Sequence, residues 1–244
     1  MSKRLEGRLA LVTGASRGIG RAVALALAEE GADIIAIARP RSQAALESLD
    51  DEIKSLGHNC TLVPFDLKDH DAIDRLGGSI YERWGKLDIF VGNAAILGPL
   101  SPLGHIPPKE FQELLDINVT TNYRFIRSLD PLLKASDAGR SIIVSSGSKG
   151  KDKAFWGGYM MTKAAVENLA LTYANECKQT SVRSNVVNPG PIRTMMRAKA
   201  VPGENASKLP DPADIAKLFV ELSLPECERN GEVVNFYDWA GLPK

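Results

Sequence analysis

Apolar residues in this chain fall in short, nearly unbroken runs separated by longer helix-forming or polar segments. Leu9-Ala10-Leu11-Val12 runs into the glycine turn Thr13-Gly14-Ala15-Ser16-Arg17-Gly18-Ile19-Gly20, and Arg21 to Ala28 are strong helix formers. That order reads strand, turn, helix. Gly31 suits a helix stop, and Asp33 to Ala38 reads as a second strand, ended by Arg39-Pro40-Arg41. Ser42 is expected to cap a polar helix from Gln43 to Leu56, stopped by Gly57. A third strand is expected over Cys60 to Phe65, then a helix from Asp69 to about Trp84 with Gly77-Gly78 as its weak point. Leu87 to Val91 reads as the fourth strand. A Pro- and Gly-rich loop over 98–108 precedes one long helix from about Pro108 to Leu133. Ser141 to Ser145 reads as the fifth strand, and Tyr159 to Lys178 as the helix after it. Val182 to Val187 reads as the sixth strand, residues 193–210 as irregular or short-helical, Asp211-Pro212 to Leu222 as a helix, and Glu232 to Phe236 as the last strand.

Strands and helices therefore alternate from end to end. The strands are continuous apolar runs, the pattern of a parallel sheet covered on both faces. No linker divides the 244 residues, so the expected fold is α/β, one doubly wound Rossmann-type domain over 1–244 with about seven strands. Composition narrows the function classes. Thirty basic and thirty acidic side chains cancel, which argues against nucleic acid or a membrane surface as partner. Cys60, Cys177 and Cys227 are odd in number and far apart, so neither a disulfide framework nor a metal site is expected. His58, His70 and His105 lie in polar, turn-like settings and read as surface residues. The apolar runs are of strand length, far short of a membrane span, and the first residues carry no signal-peptide core. A cytoplasmic location is expected.

Ligands of doubly wound sheets bind outside the carboxyl ends of the strands. At the first such end, the glycine turn lets a backbone take positive φ and a ligand approach closely. The helix that opens there points free N–H groups and a positive dipole end outward. Gly14, Ser16, Arg17, Gly18, Ile19 and Gly20 are thus expected to seat a pyrophosphate, although their spacing departs from G-x-G-x-x-G. A tight turn with no ligand is the bland alternative. Arg39 lies nineteen residues past Gly20, at the end of the second strand. An acid there would suit the 2′-hydroxyl of NAD, and an arginine suits the 2′-phosphate of NADP. With Arg17 as a second cation, two charged hydrogen bonds of roughly 1.5–3 kcal/mol each would favour NADP by about 100-fold or more. NADP(H) is the expected cofactor and NAD(H) the alternative. Asp66 is placed to accept from an adenine amino group, with Leu67 donating its backbone N–H. Capping the next helix is an equal reading for Asp66.

The second cluster is Ser145-Ser146-Gly147-Ser148 with Tyr159-Met160-Met161-Thr162-Lys163. Tyr159 and Lys163, at i and i+4, share one helix face. A free phenol has a pKa of about 10, and a neighbouring ammonium stabilises the phenolate. A serine hydroxyl nearby can hold a carbonyl or alcohol oxygen while the tyrosine exchanges its proton. A Tyr-x-x-x-Lys pair by itself is as well explained by an ordinary amphipathic helix.

Taken together these motifs resemble those of the short-chain dehydrogenase/reductase family, in its compact single-domain branch. The resemblance covers essentially the whole chain. It is carried by Thr13-Gly14-x-x-x-Gly18-x-Gly20, Asp66-Leu67, Asn93-Ala94-Ala95, Asn118 in Asp116-Ile117-Asn118-Val119, the serine strand end, Tyr159-x-x-x-Lys163 and Asn188-Pro189-Gly190-Pro191-Ile192-Arg193-Thr194. It implies Tyr159 as proton donor or acceptor. Lys163 would lower its pKa and hold the nicotinamide ribose, and Asn118 would hold a water in a relay behind the lysine. The family's serine spacing selects Ser146, with Ser145 and Ser148 as competitors. Thr194 and the Ile192 backbone would grip the carboxamide, and Asn93, Ala94, Pro189 and Gly190 would line the cofactor site. A homotetramer or homodimer, formed through the helices at 108–133 and 159–178, is also implied.

The chain departs from the family pattern at Ala95, at Lys149, where a glycine is usual, and in the short segment after Thr194. Met195, Met196, Arg197 and Lys199 there point to an open site or a large or anionic substrate, and a solvated loop explains them equally. The leading expectation is NADPH-dependent reduction of a ketone or aldehyde, a 3-oxoacyl thioester among the candidates. The alternatives are an NAD-linked alcohol or sugar dehydrogenase working oxidatively, which Arg39 disfavours, and a non-catalytic NADP sensor, which Tyr159 and Lys163 disfavour.

Overall fold

The computed structural model describes residues 3–147 and 153–243. Seven parallel strands form one sheet in the order β3-β2-β1-β4-β5-β6-β7. They are β1 Leu9–Thr13, β2 Asp33–Ala38, β3 Cys60–Pro64, β4 Ile89–Gly92, β5 Arg140–Val144, β6 Arg183–Asn188 and β7 Val233–Asn235. Alternation within each strand sends side chains to two separate cores. Ala10, Val12, Ile34, Ala36 and Val91 face one way, against α1 (Gly18–Glu29), α2 (Gln43–Ser55) and α8 (Pro212–Ser223). Leu9, Leu11, Ile35, Phe90 and Ile143 face the other, against α3 (His70–Trp84), α5 (Thr121–Ala135) and α6 (Gly157–Glu176). Because both faces are covered, the strands are largely apolar, with buried Ser141, Ser184 and Asn185 as exceptions in β5 and β6.

The two ends of the sheet differ. At the amino ends, the Asp88 carboxylate takes hydrogen bonds from the Leu9 N–H at 2.9 Å and the Ser136 hydroxyl at 2.6 Å. Lys86 at 2.8 Å and Arg8 at 3.1 Å add ion pairs. Burial alone would push this carboxyl up, but hydrogen bonds from Lys86, Ser136 and Leu9 outweigh it and hold it below the ordinary value. At the carboxyl ends the chain diverges to either side between β1 and β4, where the strand order reverses, and a crevice opens.

Several local expectations are corrected. The stretch read as one helix over 108–133 is three pieces: α4 (Pro108–Leu114), a π-helical segment Leu115–Thr120 that contains Asn118, and α5. α5 keeps Pro131 inside it and runs to Ala135, slightly past the expected end at about Leu133. Ser42 makes no side-chain cap; a 3₁₀ turn, Pro40–Ser42, leads into α2 instead. Residues 193–210 are short-helical as expected, with α7 (Met195–Ala200) and a 3₁₀ turn at Ala206–Lys208, whereas the last strand stops at Asn235 and a short α9, Phe236–Trp239, takes its expected end. Among the described residues no helix is long and apolar enough to cross a membrane.

Gly77, expected as a weak point, is a contact. A Cβ there would stand 2.4 Å from the Ser128 carbonyl oxygen, and its N–H donates to the Ser128 hydroxyl at 3.1 Å. The glycine lets α3 lie directly on α5. Gly77→Ala should therefore push the two helices apart and destabilise the fold by about 1–3 kcal/mol, read as a lowered denaturation midpoint. Gly78→Ala, with nothing within 4 Å of its Cβ position, should not.

Candidate active site

A cavity of about 1030 Å³ runs along the carboxyl ends of the strands. Its walls include Gly14, Ser16, Arg17, Gly18, Ile19, Arg39, Asp66, Leu67, Asn93 and Ala94 from the first half of the chain. From the second half come Ser146, Tyr159, Lys163, Pro189, Gly190, Ile192 and Thr194. Two residues expected at the site, Gly20 and Asn118, stand behind its wall.

Gly20 is needed for a close approach. A Cβ on it would lie 2.4 Å from the Gly14 carbonyl oxygen and 2.5 Å from Asn93 Nδ2. Asn93 Nδ2 donates to the Thr13 carbonyl at 2.9 Å, and the Thr13 hydroxyl accepts from the Asn93 and Ala94 N–H groups at 3.0 Å each. The glycine turn is thereby stitched to the end of β4. Gly14 and Gly18 take positive φ, +69° and +57°, which turns the backbone into α1. The first turn of α1 has neither a capping side chain nor an acidic residue, so its N–H groups stay available to an anion.

Arg39 lies half-buried at the end of β2. Burial lowers its pKa, as do the neighbouring charges of Arg41 and Arg17, while Asp66 and Glu113 oppose the shift. No carboxylate among the described residues forms an ion pair with Arg39 or Arg17. Clustered cations without counter-ions fit a phosphate dianion. Asp66 does not cap α3. It accepts from the Lys68 N–H at 3.0 Å, and Asp69 is the cap, accepting from Ala72 at 2.9 Å.

At the other end of the cavity, Ser146 and Tyr159 hydrogen-bond to each other through their side chains. Burial pushes the Tyr159 phenol up to about 12, and the Ser146 hydroxyl works against that shift. Burial also lowers Lys163 to about 8. Its ammonium donates to the Val144 carbonyl at 2.9 Å and lies 5.8 Å from the centre of the Tyr159 ring. In this arrangement desolvation, and not the ammonium, dominates the phenol, so the lowering of Tyr159 by Lys163 expected from the sequence is not what this geometry produces. Ser145 also lines the cavity, but its hydroxyl is engaged by the Glu167 carboxylate, to which it donates at 3.0 Å in the β5–α6 contact. Ser148 and Lys149 fall outside the described residues.

Asn118 is fully buried. Its side chain accepts from the Ile96 N–H at 2.8 Å and donates to the Ile96 carbonyl at 2.9 Å and the Thr162 hydroxyl at 3.0 Å. It ties the loop after β4 to α6 one residue ahead of Lys163. Thr194 caps α7, accepting from the Arg197 N–H at 3.2 Å.

The sequence profile of the short chain dehydrogenase family matches residues 8–205. The chain belongs to the short chain dehydrogenase family. It is 35% identical over 221 residues to Uncharacterized oxidoreductase YciK of Escherichia coli (strain K12), covering 89% of this chain and 86% of that one. It is 34% identical over 230 residues to the 3-oxoacyl-[acyl-carrier-protein] reductase FabG of Vibrio harveyi, covering 91% and 92%. The fold matches that of a short chain dehydrogenase from Shigella flexneri 2a str. 301 complexed with NADP, with a TM-score of 0.91, 33% identity, and 97% and 99% of the two chains covered.

This dehydrogenase has wall residues that the sequence reading passed over. Tyr237 and Asp238 follow the end of β7 and line the cavity, a place that the strand-end rule itself points to. The Tyr237 hydroxyl donates to the Pro191 carbonyl at 2.7 Å, and its ring lies against Gly190, where a Cβ would meet it at 2.7 Å. Trp156 and Lys153 also line the cavity, just before α6. The sparse aromatics of the chain were the signal available for Trp156. Arg197 is held by Glu204 and Lys199 is exposed outside the wall, so the basic residues after Thr194 are not free to receive a ligand anion as a group.

Asn118→Ala removes all three hydrogen bonds and leaves the Ile96 N–H and C=O without their partner. A loss of about 2–4 kcal/mol of folding stability is expected, at 1–3 kcal/mol per unpaired buried group. Chemical denaturation measures it, and no change would show that the loop after β4 is held some other way.

Proposed function

We propose that this short chain dehydrogenase is an NADPH-dependent reductase of a carbonyl compound. The observation that carries the reading is the Ser146–Tyr159 hydroxyl pair beside buried Lys163, between an anion-binding arm and an apolar arm of one cavity. Arg39 and Arg17 at the far end support a cofactor with a 2′-phosphate. Two structural relatives, from Shigella flexneri and Escherichia coli CFT073, are complexed with NADP and NADPH respectively.

NADP(H), when bound, supplies or accepts the hydride. The pyrophosphate would lie on Gly14, Ser16, Gly18, Ile19 and the first turn of α1. Asp66, Leu67, Asn93 and Ala94 would flank the adenosine, and Pro189, Gly190, Ile192 and Thr194 the nicotinamide. Ser146 donates a hydrogen bond to the carbonyl oxygen and fixes its position. Tyr159 gives its proton to that oxygen as the alcohol forms. A phenol with a pKa near 12 keeps its proton at neutral pH and so begins the reduction in the acid form. The phenolate left behind is the costly species, and the Lys163 ammonium is the charge placed to stabilise it. With a pKa of about 8, Lys163 is charged at neutral pH. Asn118 positions the lysine's helix through Thr162. The similarity to the 3-oxoacyl-[acyl-carrier-protein] reductase of Vibrio harveyi keeps a 3-oxoacyl thioester among the candidates. Exposed Tyr123 on α5 and Met161 on α6 support self-association through those helices.

Tyr159→Phe should lower kcat for NADPH oxidation with a reactive ketone by a hundredfold or more, with Kd for NADPH changed less than about threefold. Retained turnover would refute the assigned acid. Arg39→Asp should reverse the cofactor preference toward NADH, read as the ratio of kcat/KM for the two cofactors. An unchanged ratio would mean that the 2′-phosphate lies elsewhere.

A further inference from the structure

Beyond Tyr159 the cavity changes character. Leu97, Trp156 and Tyr159 are buried together, with Met196, Ala200 and Val201 packed on them. Trp156 meets the Tyr159 ring edge-on, with centroids 6.2 Å apart and planes at 71°. This is a wall for a flat apolar body, and it ends against the hydroxyl that would meet the reacting oxygen. At its rim the Lys153 ammonium lies 4.6 Å from the centre of the Trp156 ring.

Among the described residues, the other cations that line the cavity are accounted for. Arg193 pairs with Asp211, and Arg197 pairs with Glu204 through two hydrogen bonds, at 2.5 and 2.6 Å. Lys163 is held by Val144, and Arg17 and Arg39 stand at the opposite end. The acid whose charge Lys153 influences is Glu204, already engaged by Arg197. Lys153 forms no ion pair among the described residues; its one close charged contact is with the face of an indole. The Lys153 side chain is exposed, and a cation on a ring at such a site gains about 0.5–1 kcal/mol, so a carboxylate competes for it readily.

We infer that the substrate is a carbonyl compound built on a flat, largely apolar frame that bears a carboxylate: the frame lies against Trp156, and the carboxylate pairs with Lys153. This rests on the reading of Tyr159 as the group that meets the carbonyl oxygen. The anion is thus read by Lys153, and not by the Met- and Lys-rich segment after Thr194 from which the sequence first suggested it.

Binding to the NADP-loaded protein tests this without depending on turnover. By calorimetry, 2-naphthoate should bind about tenfold more tightly than 2-naphthamide, which has the same frame without the charge. In Lys153→Met the ratio should fall to within twofold, through loss of affinity for the acid. Trp156→Leu should weaken both ligands by about fivefold and keep their ratio. Equal affinities in the wild-type protein, no binding of either ligand, or a ratio that survives in Lys153→Met would each overturn the assignment. The carbonyl-reductase reading fails by a different result: naphthoate binds as described, yet no ketone or aldehyde, charged or neutral, supports NADPH oxidation.

Discussion

The Thr13 hydroxyl is the small group on which the rest of the site depends. It accepts from the Asn93 and Ala94 N–H groups at 3.0 Å each, while Asn93 Nδ2 reaches back to the Thr13 carbonyl. β1 and β4 are neighbours at the point where the strand order reverses, and their chains leave the sheet in opposite directions. These bonds hold the two departing chains together. Gly14 and Gly20 then pack against Asn93 with no room for a Cβ, which fixes the start of α1 relative to the loop after β4. That loop is pinned in turn by Asn118, and Asn118 grips Thr162 beside Lys163. One short chain of polar contacts thus connects the glycine-turn end of the cavity to the end that holds Tyr159 and Lys163.

The contrast between the two sheet ends follows from the same physics. At the amino ends the buried Asp88 carboxylate is surrounded by donors and cations, a closed electrostatic arrangement that asks for no ligand. At the carboxyl ends Arg17, Arg39 and Lys153 have no acid partners among the described residues. Burial there shifts the phenol and the ammonium in opposite directions, to about 12 and about 8. Stability is concentrated at one end of the sheet and unspent charge at the other.

Much of this was legible in the sequence, because the strong signals are local. Continuous apolar runs set the parallel sheet, and the glycine turn and the Tyr159/Lys163 spacing marked the two halves of the site. What escaped was set by contacts distant in the chain. Nothing near Gly77 announces Ser128 fifty-one residues away. Gly20 resembled a phosphate contact, yet its glycine requirement comes from Gly14 and Asn93. The resemblance already selected Ser146 by spacing, but the Glu167 carboxylate that engages the competing Ser145 hydroxyl lies twenty-two residues away and was not legible. The π-helical segment at Leu115–Thr120 has no composition of its own; it shows only as the place where Asn118 must face the loop after β4.

The apolar wall behind Tyr159 is drawn from three separate segments, near Leu97, Trp156 and Met196, none of them a strand of the sheet. Ser146 and Tyr159, to which the proposed function assigns the handling of the proton, stand just after β5 and on α6. On that proposal, ligand preference and reaction chemistry draw on largely different stretches of chain, although Trp156 is the N-cap residue of the helix that carries Tyr159. Drift in the three wall segments can carry the enzyme to new molecules without disturbing the sheet, whereas an equally radical change on α6 would remove the reaction itself. Descendants of such a chain are expected to differ in diet long before they differ in chemistry.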